Sequence, residues 1–446
     1  MNMQIFLSDV RLGLLALALN GFTSAWAALP IEHWTNASGA QVFLVQSPGI
    51  AMVDVQLDFD AGERRSPLGK TGLAAVMAAA TRDGVKAAAT QPALDENALG
   101  EAWADLGASF SAAAGSDRLT FALRSLTYPD VLAQASTLAA RQLGEPAFPE
   151  KRWLRDRPKM IASLKEANTR PGTVAARAYG KAVYGAHPYG RETTEADLLN
   201  ISSADMRALH AQAVRACYAR ISIVGAVNRA QADALVATLL SRLPSGDCPP
   251  LPSVQEVAPL SAASELRIPF DAAQAHVLVG QPGIKRSSPD YFALLVGNHI
   301  LGGGGFTARL TEEVREKRGL TYGISSSFAP GLHAGAFTIS LQTRPDQAQQ
   351  ALDLLREVLR RFVADGPSAA ELQAAKDNLI GGFALRIDTN RKLLDNVANI
   401  AWNDLPLDYL ASWSEQVQNV TTEQVRQAFA RTLQPQTMAT VVLGAK

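Results

Sequence analysis

Few side chains in this 446-residue sequence are placed to do chemistry. The histidines are His33, His187, His210, His276, His299 and His333, and no two fall within one or two helical turns of each other. A zinc site needs nitrogen, sulfur or carboxylate donors converging on one point. No His-x-x-x-His pair and no zincin motif supplies them, although histidines distant in sequence can still converge. Gly62 to Thr71 follows a predicted strand, Val53 to Phe59, but Gly62 and Gly69 stand too far apart for a nucleotide phosphate loop. Successive backbone N–H groups must wrap one phosphate, so this segment reads as a charged turn. Gly302, Gly303, Gly304 and Gly305 form a run ahead of a predicted helix. Such a run can approach an anion, act as a flexible loop or mark close backbone packing. No Gly-x-Ser-x-Gly nucleophile elbow is present.

The segment Phe306 to Phe328 is richer. Phe306, Leu310 and Val314 mark one face of a predicted helix. Arg309 with Glu313, and Glu313 with Lys317, are spaced to pair along it. Gly319 sits at the expected stop, and Leu320 to Phe328 reads as a strand that carries Tyr322 just after the turn. By periodicity alone Arg315 is a helix-end cation and Tyr322 a strand aromatic.

The elements that must hold these residues are laid out twice. Residues 200–226 and 419–445 align without a gap at an offset of 219. Each copy opens on a capping-box pattern, Ser202 to Asp205 and Thr421 to Gln424, and closes on an apolar strand, Ile221 to Val224 and Thr440 to Leu443. Phe121 to Asp130 matches Phe337 to Asp346 at an offset of 216, and a helix is predicted from about Asp346 to Phe362. Gly366 and Pro367 stop that helix, and Ser368 to Glu371 caps the next. Strands mixed with amphipathic helices, without strict βαβ alternation, predict an α+β fold of two similar lobes facing each other across a cleft. The expected division is residues 28–247, a proline-rich linker over 248–264 and a second lobe over 265–446.

Composition narrows the function. Lys plus Arg and Asp plus Glu are both 42, so a nucleic-acid binder built on overall phosphate neutralisation is not expected. Leu12 to Leu19 and Ala25-Trp26-Ala27 read as a signal peptide over residues 1–27, with a buried N-terminal helix as the alternative. No later run is long enough for a membrane span, and export to a bacterial periplasm is expected. There Cys217 and Cys248 either pair or stay as two thiols.

The run Leu-Gly-Gly-Gly-Gly-Phe-Thr-Ala-Arg-Leu-Thr-Glu-Glu-Val-Arg-Glu-Lys-Arg-Gly-Leu-Thr-Tyr-Gly, residues 301–323, resembles the C-terminal-half signature of the pitrilysin or insulinase-type zinc peptidases. This group includes the mitochondrial processing peptidase. Val53 to Gly84 and His187-Pro188-Tyr189-Gly190 resemble first-half segments of the same family. The family carries His-x-x-Glu-His after Gly-Leu-Ala; here Ala75, Ala78 and Ala79 stand at those positions. The third ligand falls near Arg155 to Arg157, where only Asp156 could coordinate. Alanine has no lone pair, so this chain is expected to hold no metal or other cofactor and to lack the activated water of the family mechanism. Active metal binding through relocated ligands is the distant alternative.

The resemblance implies that Arg315 and Tyr322 face the cleft, contact the substrate backbone and help stabilise an oxyanion. Under the repeat offset Tyr322 corresponds to Leu106, so the first half lacks this pair. The family includes two-subunit peptidases with one metal-free chain. This sequence is similar to that chain, its expected partner being a homologue with His-x-x-Glu-His and zinc, and its expected substrate an extended peptide. A stand-alone peptide-binding or assembly protein is the alternative.

Overall fold

The computed structural model describes residues 30–88, 91–244, 246 and 248–445. The predicted signal segment, 1–27, lies outside the described residues. The first half builds strands β1 (Glu32–Thr35), β2 (Gln41–Gln46) and β3 (Met52–Phe59), a small hairpin of β4 (Gly84–Val85) and β5 (Leu94–Asp95), then β6 (Ser109–Ala114), β7 (Leu119–Leu126) and β8 (Arg220–Gly225). The second half builds β9 (Ser264–Ile268), β10 (Ala275–Pro282), β11 (Gly323–Phe328), β12 (Ala336–Thr343) and β13 (Ala439–Leu443).

The two main sheets share one topology. The first runs β1-β2-β8-β3-β7-β6 and the second β9-β13-β10-β12-β11 when read in the same sense. In each, the last strand of its half pairs parallel with the first strand of the shared order, β8 with β2 and β13 with β9, and every other pairing is antiparallel. The duplication read from residues 200–226 and 419–445 is therefore a duplication of the whole sheet order. Helices and sheets in both halves make the fold α+β.

Local signals place the element ends. Ser202, Thr421 and Ser368 each accept from the backbone N–H three residues on, and Asp205, Gln424 and Glu371 answer in a complete capping box. The helix Ala348–Asp365 stops at Gly366, whose φ of +72° is costly for any residue with a Cβ. Cys217 and Cys248 are joined as a disulfide, which ties the start of the inter-lobe segment to the turn before β8.

Each half lends a helix to the other. The helix Pro171–Tyr184 lies on β10 and β13 of the second sheet, where Ala175, Tyr179 and Val183 pack with Ala336, Val441 and Leu443. The Tyr179 hydroxyl donates to the Phe337 carbonyl at 2.9 Å, and the Ala336 N–H donates to the Tyr184 hydroxyl at 2.8 Å. Gly280 makes room: a Cβ there would lie 2.2 Å from the Tyr179 hydroxyl and 1.9 Å from the Phe337 carbonyl oxygen. Reciprocally, the helix Asn390–Trp402 lies on β8 and β3, burying Leu393, Leu394, Val397 and Ile400 against Phe43, Val45 and Val224. Each such aliphatic contributes about 1.5–3 kcal/mol of burial, against about 1 kcal/mol for a typical hydrogen bond. Apolar exchange therefore holds the halves together more than polar contacts do. No helix among the described residues is long and apolar enough to cross a membrane.

Candidate functional site

The first-half candidate is the helix Leu73–Ala80. Its N-terminus is capped at a distance by Glu63, which accepts from the Gly72 N–H at 3.0 Å and the Ala75 N–H at 2.7 Å. A carboxylate there suits the positive end of the helix dipole. Leu73, Ala74, Val76, Met77 and Ala78 are buried, while Ala75 and Ala79 face outward, one turn apart. That geometry would present two ligands on one face, but methyl groups donate nothing to a metal.

Asp156, the carboxylate expected at the third motif position, is already committed. It sits on the helix Glu150–Ala167 and pairs with Arg152 at 2.6 Å, Lys159 at 3.2 Å and Arg155 at 3.3 Å. Arg152 also reaches Asp83 at 3.5 Å and pairs with Glu96. A guanidinium thus lies among three carboxylates beside the alanine helix. Burial, opposed by Arg152 and reinforced by Glu96 and Asp156, pushes the Asp83 carboxyl up to about 6. Ala79, Arg152 and Asp156 line one cavity of about 410 Å³, together with Val76, Trp153 and Met160. No group of three His, Cys, Asp or Glu among the described residues is arranged to hold a metal. The donor set does not fit the family's zinc: two positions offer no lone pair and the third is neutralised by a fixed cation.

The second-half candidate is built differently from its sequence pattern. The predicted helix from Phe306 is broken. A 3-10 turn, Gly305–Thr307, ends at Ala308 in extended backbone, and a separate π-helical turn covers Thr311–Glu316. Phe306 therefore leaves the Leu310 and Val314 face and stands 69% exposed. Arg309 does not pair with Glu313; it makes a two-pronged contact with Glu371, at 2.6 and 2.7 Å. Glu313 pairs with Lys317 at 2.8 Å, as spaced, and with Arg318 at 2.8 Å.

Gly319, at φ +61°, donates back to the Arg315 carbonyl at 2.8 Å and reverses the chain. Thr321 then anchors the strand entry by donating to the Gln342 carbonyl at 2.6 Å. This turn brings Tyr322 back over Arg315. The guanidinium carbon lies 4.7 Å from the Phe306 ring centre and 4.9 Å from the Tyr322 ring centre. Two aromatic faces thus clamp a planar cation, which among the described residues pairs with adjacent Glu316 at 3.2 Å. Tyr322 is 83% exposed and lines a groove of about 500 Å³ with His276, Ser325, Ser340 and Gln342. Gly172 of the exchanged helix closes its other side, so the groove is made by both halves.

Three of the four glycines ahead of this segment are close packing points. A Cβ on Gly302 would lie 2.5 Å from the Ser326 hydroxyl oxygen, one on Gly303 2.8 Å from the Asn298 amide nitrogen, and one on Gly304 2.6 Å from the His299 carbonyl oxygen. Gly305 instead takes φ +66° to turn the chain toward Phe306. Ala79 and Tyr322 line different cavities. Leu106, the repeat counterpart of Tyr322, ends the helix Glu96–Asp105 and packs on the first core.

Residues 200–379 match the family described as peptidase M16 inactive domain. The crystal structure of a peptidase M16 inactive domain from Pseudomonas fluorescens superposes with a TM-score of 0.87 at 34% identity, covering 93% of this chain and 98% of that one. An uncharacterised zinc protease of Mycobacterium leprae is 29% identical over 269 residues, 59% of this chain and 59% of its own length. A non-peptidase homologue from Helicobacter pylori, YmxG, is 30% identical over 158 residues, 35% of this chain and 36% of its own length. The sheet order, the two lobes and these matches agree with the resemblance carried by residues 301–323, and the chain belongs to the M16 peptidase family.

Proposed function

We propose that this chain is the metal-free subunit of an exported, two-subunit M16 peptidase. Its partner is a homologue that carries zinc on His-x-x-Glu-His, and the substrate is an extended peptide. The observation that carries this reading is the Arg315 clamp. A guanidinium fixed between Phe306 and Tyr322, next to an inter-lobe groove, offers oriented donors without needing a metal. Arginine and tyrosine both donate to the negative charge that develops on a scissile carbonyl. A pre-set guanidinium also loses little freedom when the peptide docks. Among the described residues no group of side chains is arranged to hold a metal that would activate water, so in this reading hydrolysis starts on the partner.

The test is native pull-down of the tagged chain from a periplasmic extract of its own organism. Recovery of a His-x-x-Glu-His homologue, with chelator-sensitive cleavage of a quenched peptide in the eluate, is the expected result. A clean monomer or homodimer that binds peptides without cleaving them would replace this reading with a stand-alone peptide binder.

A further inference from the structure

The floor of the groove beside Tyr322 is one face of the second sheet. Register puts Gly323, Gln342 and His276 in one row across β11, β12 and β10, and Ser325, Ser340 and Leu278 in the next. Strand alternation sends their neighbours Val277 and Leu341 into the core on the opposite face. The facing wall is the start of the exchanged helix, where Gly172, Ala175 and Ala176 line the groove. Their small side chains keep it open, since even a Cβ on Gly172 would lie 3.4 Å from the His276 ring.

The first row is polar, accessible and unspent. Burial alone acts on the His276 ring and holds its pKa below the usual value. Near neutrality it is therefore an uncharged imidazole, with one donor and one acceptor nitrogen. The Gln342 side chain is exposed, and its carboxamide makes no hydrogen bond among the described residues. Thr321 meets the Gln342 backbone carbonyl instead. In the next row the Ser325 and Ser340 hydroxyls touch only at 3.5 Å, a long contact that leaves both able to bind elsewhere. No Asp, Glu, Lys or Arg among the described residues lines the groove; Arg315 stacks on Tyr322 but is not part of the lining.

That inventory selects among peptide side chains. A charged one would give up water here without meeting a counter-charge. An apolar one would cover the imidazole and the carboxamide without pairing either. A carboxamide carries a donor and an acceptor, and both His276 and Gln342 can answer it. Residues opposite each other in register hold their Cβ atoms about 5 Å apart, close enough for one carboxamide to meet both. Resting on the reading of this chain as a peptide-binding subunit, we propose that the groove reads an asparagine or glutamine side chain of an extended peptide, with His276 and Gln342 as the specificity-determining pair. Ser325 and Ser340 continue the polar floor where the neighbouring peptide backbone would lie.

The probes are blocked alanine-based hexapeptides carrying one central glutamine, glutamate or methionine, titrated into the full mature chain. The three side chains are close in size and differ in charge and hydrogen bonding. Histidine resonances report occupancy by NMR, with His276→Asn assigning the signal. Expected are saturable shifts of His276 and binding of the glutamine peptide at least about fivefold tighter than of either other peptide. Gln342→Met, at an exposed position, should erase that preference without weakening the methionine peptide. Ala176→Leu should weaken all three by narrowing the groove. Equal or tighter binding of the glutamate peptide would hand recognition to Arg315 and overturn the proposal. So would equal binding of the methionine peptide, a preference that survives Gln342→Met, or no shift of His276 with any peptide. Titration into the His-x-x-Glu-His homologue separates this from the wider reading. Stimulation without a glutamine preference keeps the subunit role and sinks the groove; a preference without stimulation keeps the groove and sinks the subunit role.

Discussion

Beside the helix Leu73–Ala80 a guanidinium stands among three carboxylates; Arg315 instead stacks against two aromatic rings and meets the adjacent carboxylate of Glu316. Arg152 is surrounded by Asp83, Glu96 and Asp156, and the outward positions of the neighbouring helix are methyl groups. Arg315 lies over two aromatic rings instead, with its Nε paired to the adjacent Glu316. The first arrangement is closed chemistry, a guanidinium standing among carboxylates beside the helix on which the sequence resemblance places the lost metal motif. The second is open chemistry, a pre-oriented cation beside a groove. The two regions are built by separate elements, so a change at one leaves the geometry of the other intact.

Changes to each region should separate the two. Arg315→Ala is expected to cut partner-stimulated peptide hydrolysis by about 10²–10³-fold, the range for losing an oxyanion donor, with the melting temperature nearly unchanged. Parallel kinetics and thermal melts check this; a fall in stability with no loss of stimulation would make the clamp structural. Next is metal affinity. Ala75→His with Ala79→His should bind zinc weakly while Arg152 remains, and adding Arg152→Gln should tighten binding by at least about tenfold by releasing Asp156. Equal affinity in both backgrounds, measured by competition with a chelator, would mean that Arg152 does not block the position. Phe306→Ala should lower stimulation about tenfold through a looser guanidinium, and Phe306→Trp should restore most of it. An unaffected rate would remove Phe306 from the clamp.

The smallest effect concerns pH. Asp83 has a folded-state pKa of about 6, against an ordinary 3.8, so the folded chain holds its proton more tightly than the unfolded chain does. Its contribution is fully present below 3.8 and is lost as pH rises through about 6. Asp83→Asn should therefore melt a few degrees higher than the parent at pH 7, with the gain shrinking toward pH 4. A gain independent of pH would show that Asp83 is not strained by burial.

The parts legible in the sequence were those decided by residue identity or by near neighbours. The alanines at 75, 78 and 79 exclude metal donation whatever the fold does. The boxes at Ser202, Ser368 and Thr421 are local, and they formed where spacing placed them. Distant partners were not legible. Glu371 takes Arg309 from Glu313 across 62 residues, because a two-pronged carboxylate contact outcompetes a neighbour on the same, π-helical, turn. Phe306 left the predicted face, and no periodicity signals a break at Ala308. The exchanged helices were hidden more deeply. Ala175, Tyr179 and Val183 recur at helical spacing and announce a buried face, but nothing local says that the other half's sheet covers it. The Arg152 cage joins residues from 83 to 156, and only the fold brings them together.

The measurement that bears most directly on the division of labour is a titration of this chain into its purified His-x-x-Glu-His homologue. Initial rates on a quenched peptide would be read with and without chelator. Saturable stimulation near one-to-one, abolished by chelator and absent when this chain is alone, is the predicted result. Chelator-sensitive cleavage by this chain alone, or no stimulation of the homologue at any ratio, would contradict the account.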